Sequence, residues 1–434
     1  MQKSVSKPLN AARDSRATPS PAQRYAQLML LVLAAGAIYP ILYLRQVYQT
    51  TMLDVFHIDN SQLGYLYSML GIVFFLCYLP SGWLADRVAP RLLICFSLVA
   101  TGVLGLWYST APSFNALLVI FCCWGLTTGL TFWASVLKRV KMIAGANEQG
   151  RFFGVLDGGR GLVEAVLATV ALAIFAAATA SGQGEAAGLR HVVYLYSFTC
   201  IAIGALMSLF GDPATASETA QAEAAQANGS LLKDLATLAA IPQLWLVAAV
   251  VFCGYQIFWA TYSFSAYLQQ GDLHMSVVAA GMVTTLKLWM RPIGGIGGGW
   301  LGDRLSNLRV LIWAIFLAVA GLVGLIFLPA LRNMALLGAV VLFIGLMTYA
   351  IRGLYWTLLD HCAIPMRITG LAIGLVSLIG YSSDIFLPLV NGYFTEHYAG
   401  LTGYQFYFAY VAAVGALGGI AALVLKRMTH SQTA

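Results

Sequence analysis

Charge is what this sequence has least of. Only 9% of its 434 residues are Asp, Glu, Lys or Arg, while 60% are hydrophobic and the mean hydropathy is +0.79. An ordinary soluble domain carries about 25% charged residues, so this chain is too poor in charge to be a soluble globular enzyme. Cysteine is sparse as well. Cys77, Cys95, Cys122, Cys123, Cys200, Cys253 and Cys362 fall in or beside apolar runs without the paired spacings of a zinc or redox site, and they read as small buried hydrophobes. There is no His-Glu-x-x-His, and no phosphate loop ending in Gly-Lys-Ser or Gly-Lys-Thr. The glycine-rich run from Gly294 to Gly299 follows no strand and suits close helix packing. No cofactor, no metal and no ATP-driven engine is expected. The first 24 residues hold Lys3, Lys7, Arg13, Arg16 and Arg24 and lead into an apolar stretch without a small-residue cleavage site, so the amino terminus is expected to stay attached and cytoplasmic.

What the chain has in abundance is long apolar runs. A spanning helix needs about 20 apolar residues, and such windows fall near 26–47, 63–85, 92–110, 115–137, 152–178, 193–211, 243–268, 277–301, 310–329, 336–359, 368–391 and 403–425. The expected fold is an all-α membrane protein of twelve spans in two six-helix bundles. With the amino terminus inside, seventeen of the 24 cations fall on the cytoplasmic side and only Arg190 and Arg332 outside. The net charge of +7 is therefore a topology signal and not a nucleic-acid footprint. The segment near Gly211 to Ile241 is rich in Ala, Glu, Gln and Ser and cannot bury a core. The expected organisation is a disordered amino terminus (1–24), a first bundle (25–211), a cytoplasmic linker (212–241), a second bundle (242–427) and a cytoplasmic tail (428–434). Leucine spacing in Leu231–Leu238 suggests a helix along the membrane surface.

The two bundles repeat a motif. Gly82-Trp83-Leu84-Ala85-Asp86-Arg87 closes the second run and Gly299-Trp300-Leu301-Gly302-Asp303-Arg304 the eighth, 217 residues later. Repeated halves with a solute site between them are a common transporter plan. With Val88-Ala89-Pro90-Arg91 following, the motif resembles the signature loop of the major facilitator superfamily, with Ala89 where that family usually has glycine. The Asp-Arg-x-x-Pro-Arg ending is similar to the organophosphate and organic-anion (anion:cation symporter-like) branch. Gln62-Leu63-Gly64, Glu148-Gln149-Gly150-Arg151 and Gly370 to Gly380-Tyr381 extend the resemblance over both halves. It implies a cytoplasmic gate network of Asp86, Arg87, Arg91 and Arg151, with Asp303, Arg304 and Arg309 as counterparts in the second half; ordinary helix-end ion pairs are the alternative.

Ionisable groups inside spans are costly and point to function. Eight are present: Arg45, Asp157, Arg160, Glu164, Lys287, Arg291, Arg352 and Asp384. Their surplus of cations argues for an anionic solute. Arg45 lies about 31 Å along a helix from Arg24, so it either snorkels to the outer surface or, as the resemblance implies, clamps the solute's anionic group through its planar fork. The branch's second arginine, in span seven, is missing; Tyr255, Gln256, Trp259 and Tyr262 stand there. Lys287 and Arg291 are one turn apart and repel unless an anion is near. Arg291 and Glu164 lie at similar depths, about 18 and 20 Å from the cytoplasmic helix ends, so they are candidates for an ion pair between the halves. Asp157, Arg160 and Glu164 share one face of span five, which also allows purely local neutralisation. Glu164 and Asp384 are candidate proton carriers, Asp384 alternatively a partner of Lys287. Arg352 precedes Tyr355 and Trp356 at helix spacing, suited to stacking or to solute contact.

The sequence thus points to a secondary transporter of a small organic anion (carboxylate, sulfonate or phosphate ester), proton-coupled or exchanging, monomeric, in the inner membrane. The solute and a coupling proton are the expected partners, within a lipid bilayer. The expected solute contacts are Arg45, Lys287, Arg291, Gln256, Tyr262 and Arg352. A polyspecific exporter of amphiphiles is the second reading, weakened because Gly154 to Gly161 lacks the proline of the antiporter motif; a non-transporting solute sensor is the third.

Overall fold

The computed structural model describes residues 21–144, 148–209, 231–270, 273–362, 364 and 368–433. Most of the linker, the amino-terminal segment with Lys3, Lys7, Arg13 and Arg16, and also Arg367, lie outside the described residues. All regular structure among the described residues is helical. Ten helices are each long and apolar enough to cross a bilayer. The other two spans of the twelve-helix architecture are the first and the eighth, and each falls short for a physical reason. Span 1 is split into Pro21–Ala37 and Arg45–Phe56, because Pro40 supplies no amide hydrogen to the helical ladder. Span 8, Val277–Leu305, is long enough but carries Lys287, Arg291 and its glycine run.

The remaining spans are Asn60–Arg87 (span 2), Pro90–Tyr108 (span 3), Phe114–Ile143 with a π-turn at Leu126–Leu130 (span 4), Gln149–Ala180 (span 5) and Glu185–Ser208 (span 6). In the second half they are Pro242–Leu268 (span 7), Asn307–Phe327 (span 9), Met334–Leu354 (span 10), the broken pair Thr369–Gly380 and Ser383–His397 (span 11), and Leu401–Thr433 (span 12). The break in span 1 corrects the expected window of 26–47: the chain continues helically to Phe56, and Arg45 starts the second segment in the interior instead of ending the span. Span 2 begins with a reciprocal cap, Gln62 N–H donating to Asp59 Oδ1 at 2.6 Å and Asp59 N–H to Gln62 Oε1 at 3.1 Å. Such a box satisfies two orphan amide donors.

Spans 3 and 6, 8 and 10, and 7 and 12 pack within each half; spans 2 and 11, and 5 and 8, pack across them. The crossing of span 2 on span 11 depends on glycine and proline together. Pro388 has no N–H, so the carbonyl of Asp384, four residues earlier, lacks its helical partner. Gly71 lies directly against that carbonyl, where any Cβ would collide with it. Ser68 Oγ donates to the next carbonyl, Ile385, at 2.6 Å. Towards the signature-loop end the same two spans diverge, with open space beside Gly82 and Gly374. Spans 5 and 8 behave likewise: Gly161 touches Arg291, and Gly281 touches Leu172, but Gly154, Gly158, Gly295 and Gly299 face open space. The halves are therefore closed on each other at the end opposite the signature loops and parted at the loop end.

Candidate functional site

Three layers of polar contacts bridge or line the space between the halves. The first is at the closed end, where the break in span 1 turns a run of polar side chains towards the second half. Arg45, 2% exposed, donates from Nη2 to Asn391 Oδ1 at 2.7 Å and to Gln49 Oε1 at 3.3 Å. Its guanidinium lies 5.0 Å from the centre of the Tyr67 ring, and Asn391 Nδ2 donates onward to Ser263 Oγ at 3.2 Å. Lys287, fully buried, donates to Gln46 Oε1 at 2.6 Å and to Thr261 Oγ1 at 3.2 Å. Thr50 Oγ1 to Gln269 Oε1 and Ser265 Oγ to the Val47 carbonyl, both 2.7 Å, complete the layer. Two buried cations are thus held by neutral oxygens across the interface. Arg45 does not snorkel, and Lys287 is not bonded to Asp384. The stem of Lys287 fits because position 345 is glycine.

The second layer is ionic. Arg291 Nη1 lies 2.5 Å from Glu164 Oε2, joining spans 8 and 5, and its Nη2 lies 4.0 Å from Asp157 Oδ1. Asp157 is also 3.7 Å from Arg160 Nε, whose guanidinium rests 4.8 Å from the Trp133 ring centre. The Asp157 side chain is 77% exposed. A carboxylate so exposed beside an arginine of the other half faces water and not acyl chains, so the parted end is hydrated to this depth. Gly161 makes room for the stem of Arg291.

The third layer is aromatic. Arg352 lies 4.1 Å from the Phe258 ring centre and 5.8 Å from that of Tyr255. It is partly exposed and, among the described residues, makes no ion pair or hydrogen bond. Tyr255 packs against Tyr381 with ring centres 4.6 Å apart, and the hydroxyls of Tyr355 and Tyr381 are 3.1 Å apart. Asp384, 5% exposed, accepts from Trp259 Nε1 at 2.5 Å. Tyr262 stacks on Tyr43 of the first half at 5.1 Å and lies below the Lys287 ammonium at 5.8 Å. Gln256 is fully buried with neither amide atom hydrogen-bonded.

The signature residues do not meet across the halves here. Asp86 pairs with Lys138 of its own half at 3.1 Å. Arg87 stacks on Trp83 and Arg304 on Trp300. Arg91 Nη1 donates to the Ser208 carbonyl at 3.2 Å, and Arg151 lies 5.5 Å from the Tyr25 ring centre. Asp303 is exposed and, among the described residues, has no polar partner. Sequence reasoning passed over Asn391, Gln46, Gln49 and Lys138. The sequence signal was limited to Gln46 and Gln49, which follow Arg45 within about one helical turn; nothing in the residue order points to Asn391.

Residues 27–388 match the sequence profile of the Major Facilitator Superfamily. The inner membrane protein YihN of Escherichia coli K12 is 29% identical over 94% of this chain and 97% of its own. A D-galactonate transporter of Escherichia coli O6:H1 is 21% identical over 96% and 97%. Among solved structures, a bacterial homologue of the human lysosomal transporter Spinster, in an inward-facing, unoccupied conformation, superposes with a TM-score of 0.75 over 95% of this chain and 98% of its own at 14% identity. With twelve helices in paired halves, a polar interface between them and this match along most of its length, the chain belongs to the Major Facilitator Superfamily of membrane transporters and is not an enzyme.

Proposed function

We propose that the protein moves a small organic anion by alternating access and that this conformation is the one open to the cytoplasm. In this reading the halves are residues 25–211 and 242–427, joined by the linker 212–241, with both termini and the signature loops cytoplasmic. The observation that carries the anion is Arg352. Glu164 and Asp157 pair with the neighbouring cations, while Arg352, stacked on Phe258 and near Asp384 and Asp157 only through space, has no hydrogen-bond acceptor among the described residues. A planar fork with an open edge is suited to a carboxylate, sulfonate or phosphate. The tyrosine hydroxyls and ring faces around it suit a hydroxylated carbon skeleton, in keeping with a relative that transports D-galactonate. Arg45, Lys287 and Tyr262 would receive the solute when the opposite end opens, and Arg291 contributes from the rim of the ionic layer. Gln256, fully buried here, would take part only in a conformation that exposes its amide.

The test is thermal stability of purified protein against a panel of sugar acids, sulfonates and phosphate esters. Ligand at 100 times its dissociation constant stabilises by about 2.7 kcal/mol, which is an upward shift of a few degrees. The shift should appear with one anionic class and vanish in Arg352→Gln. Stabilisation by apolar cations alone would instead favour the exporter of amphiphiles.

Asp384 is the proposed coupling carboxyl. Its carboxylate is held by the Trp259 indole and the Tyr255 hydroxyl, with Arg352 acting on it only through space, so its protonation breaks no direct ion pair, and its own backbone carbonyl forms the crossing with Gly71. Asp384→Asn is expected to keep solute exchange in proteoliposomes but to lose accumulation driven by a pH gradient. Gradient-driven accumulation at the wild-type level would remove Asp384 from the mechanism and leave Glu164 as the candidate.

A further inference from the structure

Two surface features outside the solute path repeat at the interval of the signature motif. On span 2 the exposed residues Ile72, Leu76, Trp83 and Arg87 form one stripe, and on span 8 Met282, Leu286, Ile293, Trp300 and Arg304 form another. Spacings of 4 and 7 keep each set on one helix face. The stripes are apolar until the tryptophan, which is 56% exposed on span 2 and 55% on span 8. Exposed apolar stripes of spanning helices lie against acyl chains, and tryptophan marks the level where chains give way to headgroups. The arginine one turn further therefore sits in the headgroup layer.

Each guanidinium lies over its indole, 4.0 Å from the ring centre for Arg87 on Trp83 and 3.9 Å for Arg304 on Trp300. The contact covers one side of each guanidinium with an aromatic ring. Among the described residues neither arginine makes a hydrogen bond or an ion pair, although Asp86 and Asp303 are adjacent in sequence. Asp86 is taken up by Lys138. Two exposed guanidinium groups without a hydrogen-bonding or ionic partner among the described residues thus stand at pseudo-equivalent positions, each at the end of an apolar stripe.

We propose that these two Trp–Arg stacks are binding sites for the phosphodiester of anionic glycerophospholipids in the leaflet at the signature-loop end. A planar guanidinium binds phosphate oxygens through paired hydrogen bonds, and the negative surface potential of such lipids adds attraction for each nearby arginine. The same edge could take inorganic phosphate from the aqueous phase, but the stack terminates an acyl-facing stripe, which places a lipid headgroup and not a free ion beside it. The sites are independent of the transported solute.

The experiment compares wild type with the Arg87→Gln/Arg304→Gln double variant in nanodiscs of phosphatidylcholine containing graded phosphatidylglycerol, with bound lipid counted by native mass spectrometry and the unfolding temperature recorded. A Lys233→Gln/Arg427→Gln variant removes the same charge from elsewhere. Retention of phosphatidylglycerol should weaken about fivefold per arginine lost, the gain in unfolding temperature should shrink with it, and the control should behave as wild type. Arg87→Lys/Arg304→Lys, which keeps the charge without the planar fork, should fall between and guards against misfolding of the glutamine pair. Equal loss in the control would reduce the effect to net charge and overturn the proposal. So would stabilisation by inorganic phosphate that matches that of the lipid, or retention unchanged in the double variant.

Discussion

Asn391→Leu is expected to open the closed end. Arg45 is 2% exposed, and its short bond to Asn391 is its main tie across the interface. Hydrogen bonds to charged groups contribute about 1.5–3 kcal/mol, and a buried donor left without its acceptor costs at least as much. Leucine removes the shorter of the two bonds from Arg45 Nη2 and adds apolar surface, leaving only the 3.3 Å bond to Gln49 of the same half, so the lost bond is recovered by reaching water. A loss of about 2 kcal/mol from the closed arrangement changes the ratio of states about 30-fold. Spin labels at Asp54 and His397, both exposed at this end, should report a longer separation in the variant. Asn391→Asp should do the reverse, because a carboxylate pairs with Arg45 more tightly than an amide and holds the end shut. A separation unchanged by both substitutions would show that the Arg45 layer has no part in holding the gate.

The second large effect is expected at the pair of Glu164 and Arg291. Breaking a fully buried ion pair by removing one partner costs about 3–5 kcal/mol. The side chains here keep 21% and 15% of their exposure, so hydration relieves part of that, and a cost of about 2 kcal/mol is expected for Arg291→Ala. Exchanging the charges, Glu164→Arg with Arg291→Glu, should restore transport only in part. The new carboxylate would lie near Asp157, which Arg291 now attracts at 4.0 Å, and the groove at Gly161 that holds the arginine stem would be left partly empty. Uptake measured in proteoliposomes should therefore rank wild type, exchanged pair, then either single variant. An exchanged pair no better than the singles would mean that the two charges act through separate partners.

How much of this was legible in advance differs from residue to residue. Twelve spans could be read because a bilayer imposes one requirement, about 20 apolar residues per crossing, and that requirement is local. The depths of Glu164 and Arg291 could be counted because a helix rises 1.5 Å per residue. The repeated Gly-Trp-Leu-x-Asp-Arg motif was legible as a repeat. Its open arrangement was not, since a motif is the same in every conformation of a protein that alternates between two.

Arg45 shows why the rest was hidden. Hydropathy placed it at the end of a span, and only the break at Pro40 and the continuation to Phe56 bring it into the interior. Its partner is 346 residues away, and no helical period connects such positions. The fates of Lys287 and Asp384 were likewise undecided by depth alone, because rotation about a helix axis selects among neighbours at one level: Lys287 turned to Gln46 and Thr261, and Asp384 to Trp259. The glycines are the clearest instance. Gly71 and Gly161 resemble any others in a sequence with 43 glycines, and their work of admitting a carbonyl and an arginine stem appears only once the halves are packed. The sequence by itself determined that the chain crosses a membrane, that it is built as two related halves, and which charges must be accommodated inside, because burial cost depends on each residue's own chemistry. Tertiary structure alone decided which charges meet, which remain open to solvent and which end is shut, because those outcomes depend on contacts between segments that the order of residues does not bring together.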